Sequence, residues 1–241
     1  MKNLSIVIPV FNDEKVLPDL YKRLKPVLFS LSLKYEIIFI DDGSSDNSYS
    51  ILRGLQKQDA NIKIIKLIRN FGQANAIAAG LEFVENDLIV VMDSDLQDRP
   101  EDIPKLISAL EKDNVSMVIV NRIYRDEPFA KKLVSNSFFF FSNLLTNIKQ
   151  PLNVRVFRIF KREALIKVRK FPDRSGTVLS RFYKAKIDYT TIALVREKSR
   201  RKSNYDLKKL LDLAFDRILP NLKIKVFRTK RSQKYIIEKF M

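Results

Sequence analysis

The chain of 241 residues is long enough for one α/β domain with a full hydrophobic core. It contains neither Cys nor His, which excludes disulfides, thiolate nucleophiles, the usual zinc sites and imidazole acid–base catalysis. Any chemistry must therefore use carboxylates, amides, hydroxyls and cations.

The formal charge of +17 belongs to the C-terminal part of the chain. Residues 1–150 carry 19 Lys and Arg against 20 Asp and Glu, whereas residues 151–241 carry 26 against 8. A basic region of this kind suits nucleic acid, anionic lipid headgroups or a phosphorylated substrate, or it is simply a solvated surface. Charge alone does not decide between these alternatives.

The first 121 residues alternate strand-like and helix-like segments. Short runs rich in Ile and Val predict strands at Ser5–Val10, Glu36–Ile40, Lys63–Ile68, Leu88–Met92 and Val115–Val120. Helical spacing of apolar residues follows the first strand, from Val16 to Leu31, and the second, from Ile51 to Leu55. Near-continuous apolar strands joined by helices predict a doubly wound α/β fold, in which helices cover both faces of a mostly parallel sheet.

Beyond residue 121 the pattern changes. We predict helices at Ala130–Ile148, Arg162–Val168, Val178–Lys184 and Leu207–Leu219, and strands at Val154–Phe160 and Asp188–Val195. The run Phe138–Phe141 belongs either to the core or to an interface with lipid. Aromatic clusters usually pack in cores, whereas cations beside an aromatic stripe suit a helix at a membrane surface. The last twenty residues are basic and contain no recognisable element.

Nothing in the sequence predicts membrane insertion. No apolar run reaches the length of about 18 residues that a transmembrane helix needs. The apolar stretch at the N-terminus is too short for a signal peptide. We therefore expect a cytoplasmic protein.

Polar segments follow the first five predicted strands. They are Pro9–Asp13, Asp41–Ser44, Arg69–Gly72, Asp93–Gln97 and Asn121–Arg122. Ligands of doubly wound sheets bind at the carboxyl ends of the strands, so these segments predict one shared binding site.

Asp93, Asp95 and Gln97 are candidate ligands of a divalent metal. Two carboxylates and an amide at a strand end supply the oxygen atoms that Mg²⁺ or Mn²⁺ prefers, and substrate phosphates commonly complete the shell of such an ion. Taken alone, the two aspartates could equally be caps of the strand end.

Asp41 begins a second acidic segment about 50 residues upstream. Its carboxylate could accept a hydrogen bond from a nucleotide base or ribose, and Gly43 permits a close backbone approach. The residues that follow, up to Asp46, are also an ordinary helix start. Both interpretations are open for this segment alone.

The motifs together resemble those of family 2 glycosyltransferases of the GT-A fold. Over residues 4–219 they occur in the order Ile8–Glu14, Ile40–Asp46, Asn70–Gln73, Ala78–Gly80 and Met92–Glu101. Within the family, the polyprenyl-phosphate type is the most similar. The resemblance implies a GT-A domain at residues 1–219, with a nucleotide-sugar-binding half (1–121), an acceptor half (122–219) and a basic tail (220–241).

The resemblance also implies roles for individual residues. The donor site would consist of Pro9, Phe11, Glu14, Asp41, Asp42, Gly72 and Asp93. The metal, Mg²⁺ or Mn²⁺, would bind to Asp93, Asp95 and Gln97. Asp93, Asp95 and Arg122 would be catalytic. The acceptor phosphate would contact Arg122, Lys131, Ser135, Arg196 and Lys198, and the helix near residues 130–148 would lie at the membrane surface.

One position departs from the pattern of relatives. Val156 stands where many relatives carry an acid before the segment that begins at Phe157. A sugar hydroxyl needs a base to become a nucleophile, but a phosphate monoester is largely ionised at pH 7 and does not. The missing acid therefore favours a phosphate acceptor.

Three functions follow from these observations. The first is transfer of a sugar from a nucleoside-diphosphate sugar to a polyprenyl phosphate, by a protein attached peripherally to the anionic inner face of the cell membrane. The second is transfer to a saccharide hydroxyl in surface-glycan synthesis. The third is a non-catalytic basic protein on a decayed transferase, which would bind nucleic acid or membrane; we expect no nucleic-acid partner, because the donor motifs are intact.

Overall fold

The computed structural model describes residues 3–123, 154–173, 176–195, 197 and 235–241. The strands are β1 (Leu4–Val10), β2 (Tyr35–Asp41), β3 (Ile62–Leu67), β4 (Leu88–Val91), β5 (Met117–Ile123), β6 (Val154–Lys161), β7 (Tyr189–Val195) and β8 (Ile237–Phe240). The helices are α1 (Leu17–Ser30), α2 (Ser48–Gln58), α3 (Gln73–Glu82), α4 (Ile103–Lys112), α5 (Arg162–Lys170) and α6 (Val178–Lys184). A short 3-10 helix (Pro100–Asp102) precedes α4.

These strands form a single sheet in the order β7-β5-β6-β4-β1-β2-β3-β8. Neighbouring strands are parallel at β1/β2, β1/β4, β2/β3 and β5/β7, whereas β6 is antiparallel to β4 and β5, and β8 is antiparallel to β3. Six strands therefore point their carboxyl ends to the same edge. The predicted α/β fold with a mostly parallel sheet is confirmed.

Helices cover both faces of the sheet, and each face has its own core. On one face Ile6 and Ile8 of β1 pack with the apolar residues of α1, α2 and α4. On the other face Val7 packs with those of α3, α5 and α6. Because side chains alternate along a strand and both faces are covered, every residue of β1 is buried. This burial explains the uninterrupted apolar runs in the sequence.

Helix α1 has one buried stripe. Leu17, Leu20, Leu24 and Leu28 are fully buried and recur every three or four residues, so they lie on one side of the helix and face the sheet. The spacing in the sequence predicted this helix correctly.

Strand β5 differs from its predicted bounds. It runs to Ile123, three residues past the predicted end, so Asn121 and Arg122 lie within the strand and not in a loop after it. Asn121 pairs with Val154 of β6, and Arg122 with Leu194 of β7. Pairing on both sides extends the strand beyond its apolar part.

The last strand, β8, was not predicted. Phe240 pairs with Ile65 of β3 and stacks on Phe83 with 4.4 Å between the ring centroids, and Glu238 forms an ion pair with Lys66 at 3.0 Å. These contacts come from residues far away in sequence. The position of the strand in the sheet therefore depends on tertiary contacts, and the sequence analysis did not anticipate them.

Two predicted helices, at 130–148 and 207–219, lie outside the described residues. Within the described part of the chain, no helix is both long enough and apolar enough to cross a bilayer.

Candidate active site

The loop after β2 is joined to the loop after β3 by the buried side chain of Asp42. Its Oδ1 accepts a hydrogen bond from the backbone N–H of Phe71 at 2.8 Å, and its Oδ2 accepts one from that of Gly72 at 2.9 Å. Burial raises the pKa of Asp42, while these two N–H donors act in the opposite direction. Asp42 therefore shapes the site by fixing a neighbouring loop.

Gly43 allows the same two loops to touch. Its φ of +67° lies in the left-handed region, and a Cβ atom at this position would be 2.4 Å from the backbone carbonyl carbon of Arg69. Only glycine fits both requirements without strain. The close backbone approach predicted for Gly43 is thus present, and the partner is the chain's own loop.

Asp41 offers an acceptor atom to a ligand. The residue is fully buried, and its Oδ1 accepts the N–H of Ser44 at 3.1 Å. Its Oδ2 is buried and has no hydrogen-bond partner within the described part of the chain. Burial raises the pKa of Asp41. A carboxylate in this state gains most from a ligand N–H or O–H group.

The loop after β1 lies against the start of α2. Asn12 donates its N–H to Ser44 Oγ at 3.0 Å and accepts the N–H of Ser45 at 2.9 Å. Glu14 accepts the N–H and the side-chain amide of Asn47, at 3.1 and 3.0 Å. Of the predicted donor-binding residues in this region, Glu14 already has these partners, Pro9 is buried within β1, and Phe11 is exposed at the strand end.

The segment after β4 carries the two candidate metal-binding aspartates. Asp93 Oδ1 accepts a hydrogen bond from Gln73 Nε2 at 2.6 Å, and Asp95 Oδ1 accepts the N–H of Gln97 at 3.0 Å. Ser94 anchors the segment, because its hydroxyl donates a hydrogen bond to the carboxylate of the buried Asp13 at 2.5 Å. Leu96, between Asp95 and Gln97, is buried and has a left-handed φ of 60°. The turn is thus tightly constrained.

The donor set of this turn fits a hard cation only in part. Asp93, Asp95 and Gln97 provide carboxylate and amide oxygens, the ligands that Mg²⁺ and Mn²⁺ prefer. Within the described residues, no third acidic side chain joins the pair to form a cluster of metal-ligating residues. An ion bound here would take its remaining ligands from water and from the phosphates of a substrate.

Comparison with known proteins decides the family. The model of Glycosyl transferase family 2 matches residues 5–169. The chain belongs to this family. The uncharacterized glycosyltransferase YkcC of Bacillus subtilis is 34% identical over 215 residues, covering 89% of this chain and 67% of that protein. The uncharacterized glycosyltransferase sll0501 of Synechocystis is 34% identical over 172 residues, covering 71% of this chain and 54% of the relative.

A solved structure shows the same fold. Glucosyl-3-phosphoglycerate synthase from Mycobacterium tuberculosis, in complex with Mn²⁺, UDP-glucose and phosphoglyceric acid, superposes with a TM-score of 0.58 at 19% sequence identity. The match covers 88% of this chain and 76% of that chain. The predicted GT-A fold of this glycosyltransferase is confirmed.

Arg158 is a further residue of the candidate site of this glycosyltransferase, and the sequence motifs had not indicated it. Arg158 lies in β6 opposite Val91 of β4, is 3% exposed, and donates its Nε–H to the backbone carbonyl of Val156 at 3.1 Å. Burial lowers the pKa of its guanidinium, and the nearby Tyr183 hydroxyl and Asp93 carboxylate oppose that shift. The sequence signal that could have indicated Arg158 is a charged residue within a largely apolar predicted strand.

Of the predicted acceptor residues, the structure describes only the backbone of Arg122. The backbone of Arg122 lies in β5, and its side chain is outside the description. Lys131, Ser135, Arg196 and Lys198 also lie outside the described residues. Glu197, between the last two, donates its backbone N–H to the carbonyl of Gln97 at 3.1 Å. Glu197, two residues past the end of β7, therefore contacts the candidate metal-binding turn.

Proposed function

We propose that this glycosyltransferase transfers a sugar from a nucleoside-diphosphate sugar to a polyprenyl phosphate at the inner face of the cell membrane, with the help of a divalent cation. One observation carries the proposal: four aspartates lie at the same edge of the mostly parallel sheet. Asp41 ends β2 and Asp42 follows it, while Asp93 and Asp95 follow β4. Doubly wound sheets bind ligands at this edge.

The donor nucleotide would bind at the ends of β1, β2 and β3. The buried Oδ2 of Asp41 would accept a base N–H or a ribose hydroxyl, which satisfies an atom without another partner in the described residues. Pro9, Phe11 and Glu14 belong to the neighbouring end of β1, where Val10 pairs with Asp41. Asp42 holds the loop at Gly72. These residues would therefore form the nucleotide end of the site.

The diphosphate would lie at the end of β4. Asp93, Asp95 and Gln97 would hold Mg²⁺ or Mn²⁺, which stabilises negative charge on the leaving phosphate when bound. The Mn²⁺ and UDP-glucose in the mycobacterial synthase support this choice of cofactor. Arg158 would offset part of the negative charge of Asp93.

The acceptor would be the phosphate of a lipid. Its oxygen attacks the anomeric carbon, the bond from that carbon to the diphosphate breaks, the nucleoside diphosphate leaves, and the configuration inverts. The chain contains no His, and half-buried Val156 supplies no carboxylate, which a largely ionised phosphate does not require. Arg122, Lys131, Ser135, Arg196 and Lys198 would contact this phosphate, and the basic C-terminal region would be attracted to anionic lipid.

A radiolabelled transfer assay with membranes and a panel of UDP, GDP and dTDP sugars tests the proposal. We expect one donor to give a product that partitions into organic solvent. Asp95→Ala should abolish turnover, whereas Asp113→Ala, at the exposed end of α4, should leave it unchanged. A water-soluble product would indicate that the acceptor is a saccharide and not a lipid. Absence of donor binding together with steeply salt-dependent DNA binding would refute the enzymatic function.

A further inference from the structure

Arg23 of α1 binds two glutamates that are far apart in sequence. Its Nε and Nη2 donate to the two carboxylate oxygens of Glu101 at 2.8 and 2.7 Å. Its Nη1 and Nη2 donate to those of Glu197 at 3.1 and 2.8 Å. One guanidinium therefore makes bidentate contacts with both carboxylates.

Both glutamates are connected to the candidate metal-binding turn at Asp95–Gln97. Glu101 follows Gln97 by four residues in the chain. Glu197 donates its backbone N–H to the carbonyl of Gln97 at 3.1 Å. Arg23 is thus linked to this turn along the chain through Glu101 and across space through Glu197.

These contacts differ from an ordinary surface ion pair. The planar guanidinium uses four hydrogen bonds in fixed directions, and the Arg23 side chain is only 22% exposed. Arg99 adds a second cation, with its Nε 3.6 Å from Glu197 and 3.9 Å from Glu101. The Arg23 contacts hold the pKa of both glutamates below the usual value, so both remain ionised.

The turn itself benefits from such support. Leu96 adopts a left-handed backbone, which costs a non-glycine residue free energy and persists only when the surroundings enforce it. Asp95 is tied within the turn through its hydrogen bond from the Gln97 N–H. A carboxylate ligand and an amide ligand keep their relative position only if both ends of the turn are held.

We propose that Arg23 is a positioning residue that holds the Asp95–Gln97 turn in its metal-binding geometry through Glu101 and Glu197. The inference rests on the proposed function, because it assumes that the cation binds at this turn. Arg23 would touch neither the metal nor the donor, and its effect would be on the affinity for the cation.

The test is a calorimetric titration of the full chain with Mn²⁺ in the presence of saturating UDP, and with UDP in metal-free buffer. For Arg23→Met we expect Mn²⁺ affinity to fall by about tenfold, in the range of residues that orient metal ligands. UDP affinity without metal should stay within about twofold of the wild type, a resolution that calorimetry provides. Lys22→Met, an exposed neighbour on the same helix, should change neither affinity.

Further variants separate positioning from general distortion. Arg23→Glu combined with Glu101→Arg should bind Mn²⁺ more tightly than either single variant, because the bidentate pair is restored in reverse. If Arg23→Met does not fold, Glu197→Gln replaces it, since that change keeps the pair of Arg23 with Glu101. Equal losses of Mn²⁺ and metal-free UDP affinity would overturn the positioning role.

Failure of the inference is distinguishable from failure of the proposed function. If Arg23→Met and Glu197→Gln bind Mn²⁺ as tightly as the wild type, the positioning role is wrong and the proposed function stands. If the wild type binds UDP but not Mn²⁺ with it, the metal part of the proposed function is wrong, and the role of Arg23 falls with it.

Discussion

Replacing Gly43 by alanine should disrupt the contact between the loops after β2 and β3. The added methyl group would lie 2.4 Å from the carbonyl carbon and 2.6 Å from the Cα of Arg69, which are backbone atoms that cannot rotate away. The left-handed backbone costs an L-residue about 1–2 kcal/mol, and overpacking adds about 1–3 kcal/mol. The free energy of unfolding should therefore fall by about 2–5 kcal/mol, or about 4–20 °C in melting temperature.

Thermal denaturation and UDP titration measure the two consequences of Gly43→Ala. We expect weaker UDP binding as well as lower stability, because Asp42 binds the N–H groups of the loop that the methyl group displaces. The matched control is Gly54→Ala in α2, where a Cβ meets nothing within 4 Å and alanine should stabilise the helix by about 0.5–1 kcal/mol. If Gly43→Ala has the same melting temperature as the wild type, the close contact inferred between the two loops is refuted.

Three further predictions concern the charges of the site. Asp41→Asn should weaken UDP binding by about 10- to 100-fold, the loss of one hydrogen bond to a charged group, while the melting temperature rises because a buried charge is removed. UDP affinity should fall as the pH is lowered toward the raised pKa of Asp41, above the ordinary value of about 3.9, and Asp41→Asn should lose that dependence. The effect on stability has the opposite sign. Because the pKa of Asp41 is raised in the folded protein, its contribution to the free energy of unfolding is complete only below the pKa of Asp41 in the unfolded chain. This contribution is lost as the pH rises through the pKa of Asp41 in the folded protein. Arg158→Met should strengthen binding of Mn²⁺ in the presence of UDP, because Asp93 loses a nearby cation that offsets its negative charge, whereas Lys161→Met at the other end of β6 should not; equal affinities in calorimetry would contradict the role of Arg158.

The sequence by itself determined most of the elements and the edge of the sheet at which the candidate site lies. The strands β1 to β4 were predicted within one residue at each end, because their apolar runs reflect burial on two faces. The acidic segments at Asp41 and Asp93 were visible because polar residues interrupt those runs at the strand ends. Periodicity and composition are local properties, so they can be read without the fold.

Only the tertiary structure decided which distant residues meet. Arg158 comes near Asp93 because β6 inserts antiparallel between β4 and β5, although 65 positions separate the two residues in the chain. Arg23 meets Glu197 across 174 positions, and β8 exists through its pairing with β3. Contacts of this kind depend on strand order and side-chain reach, which no local pattern encodes.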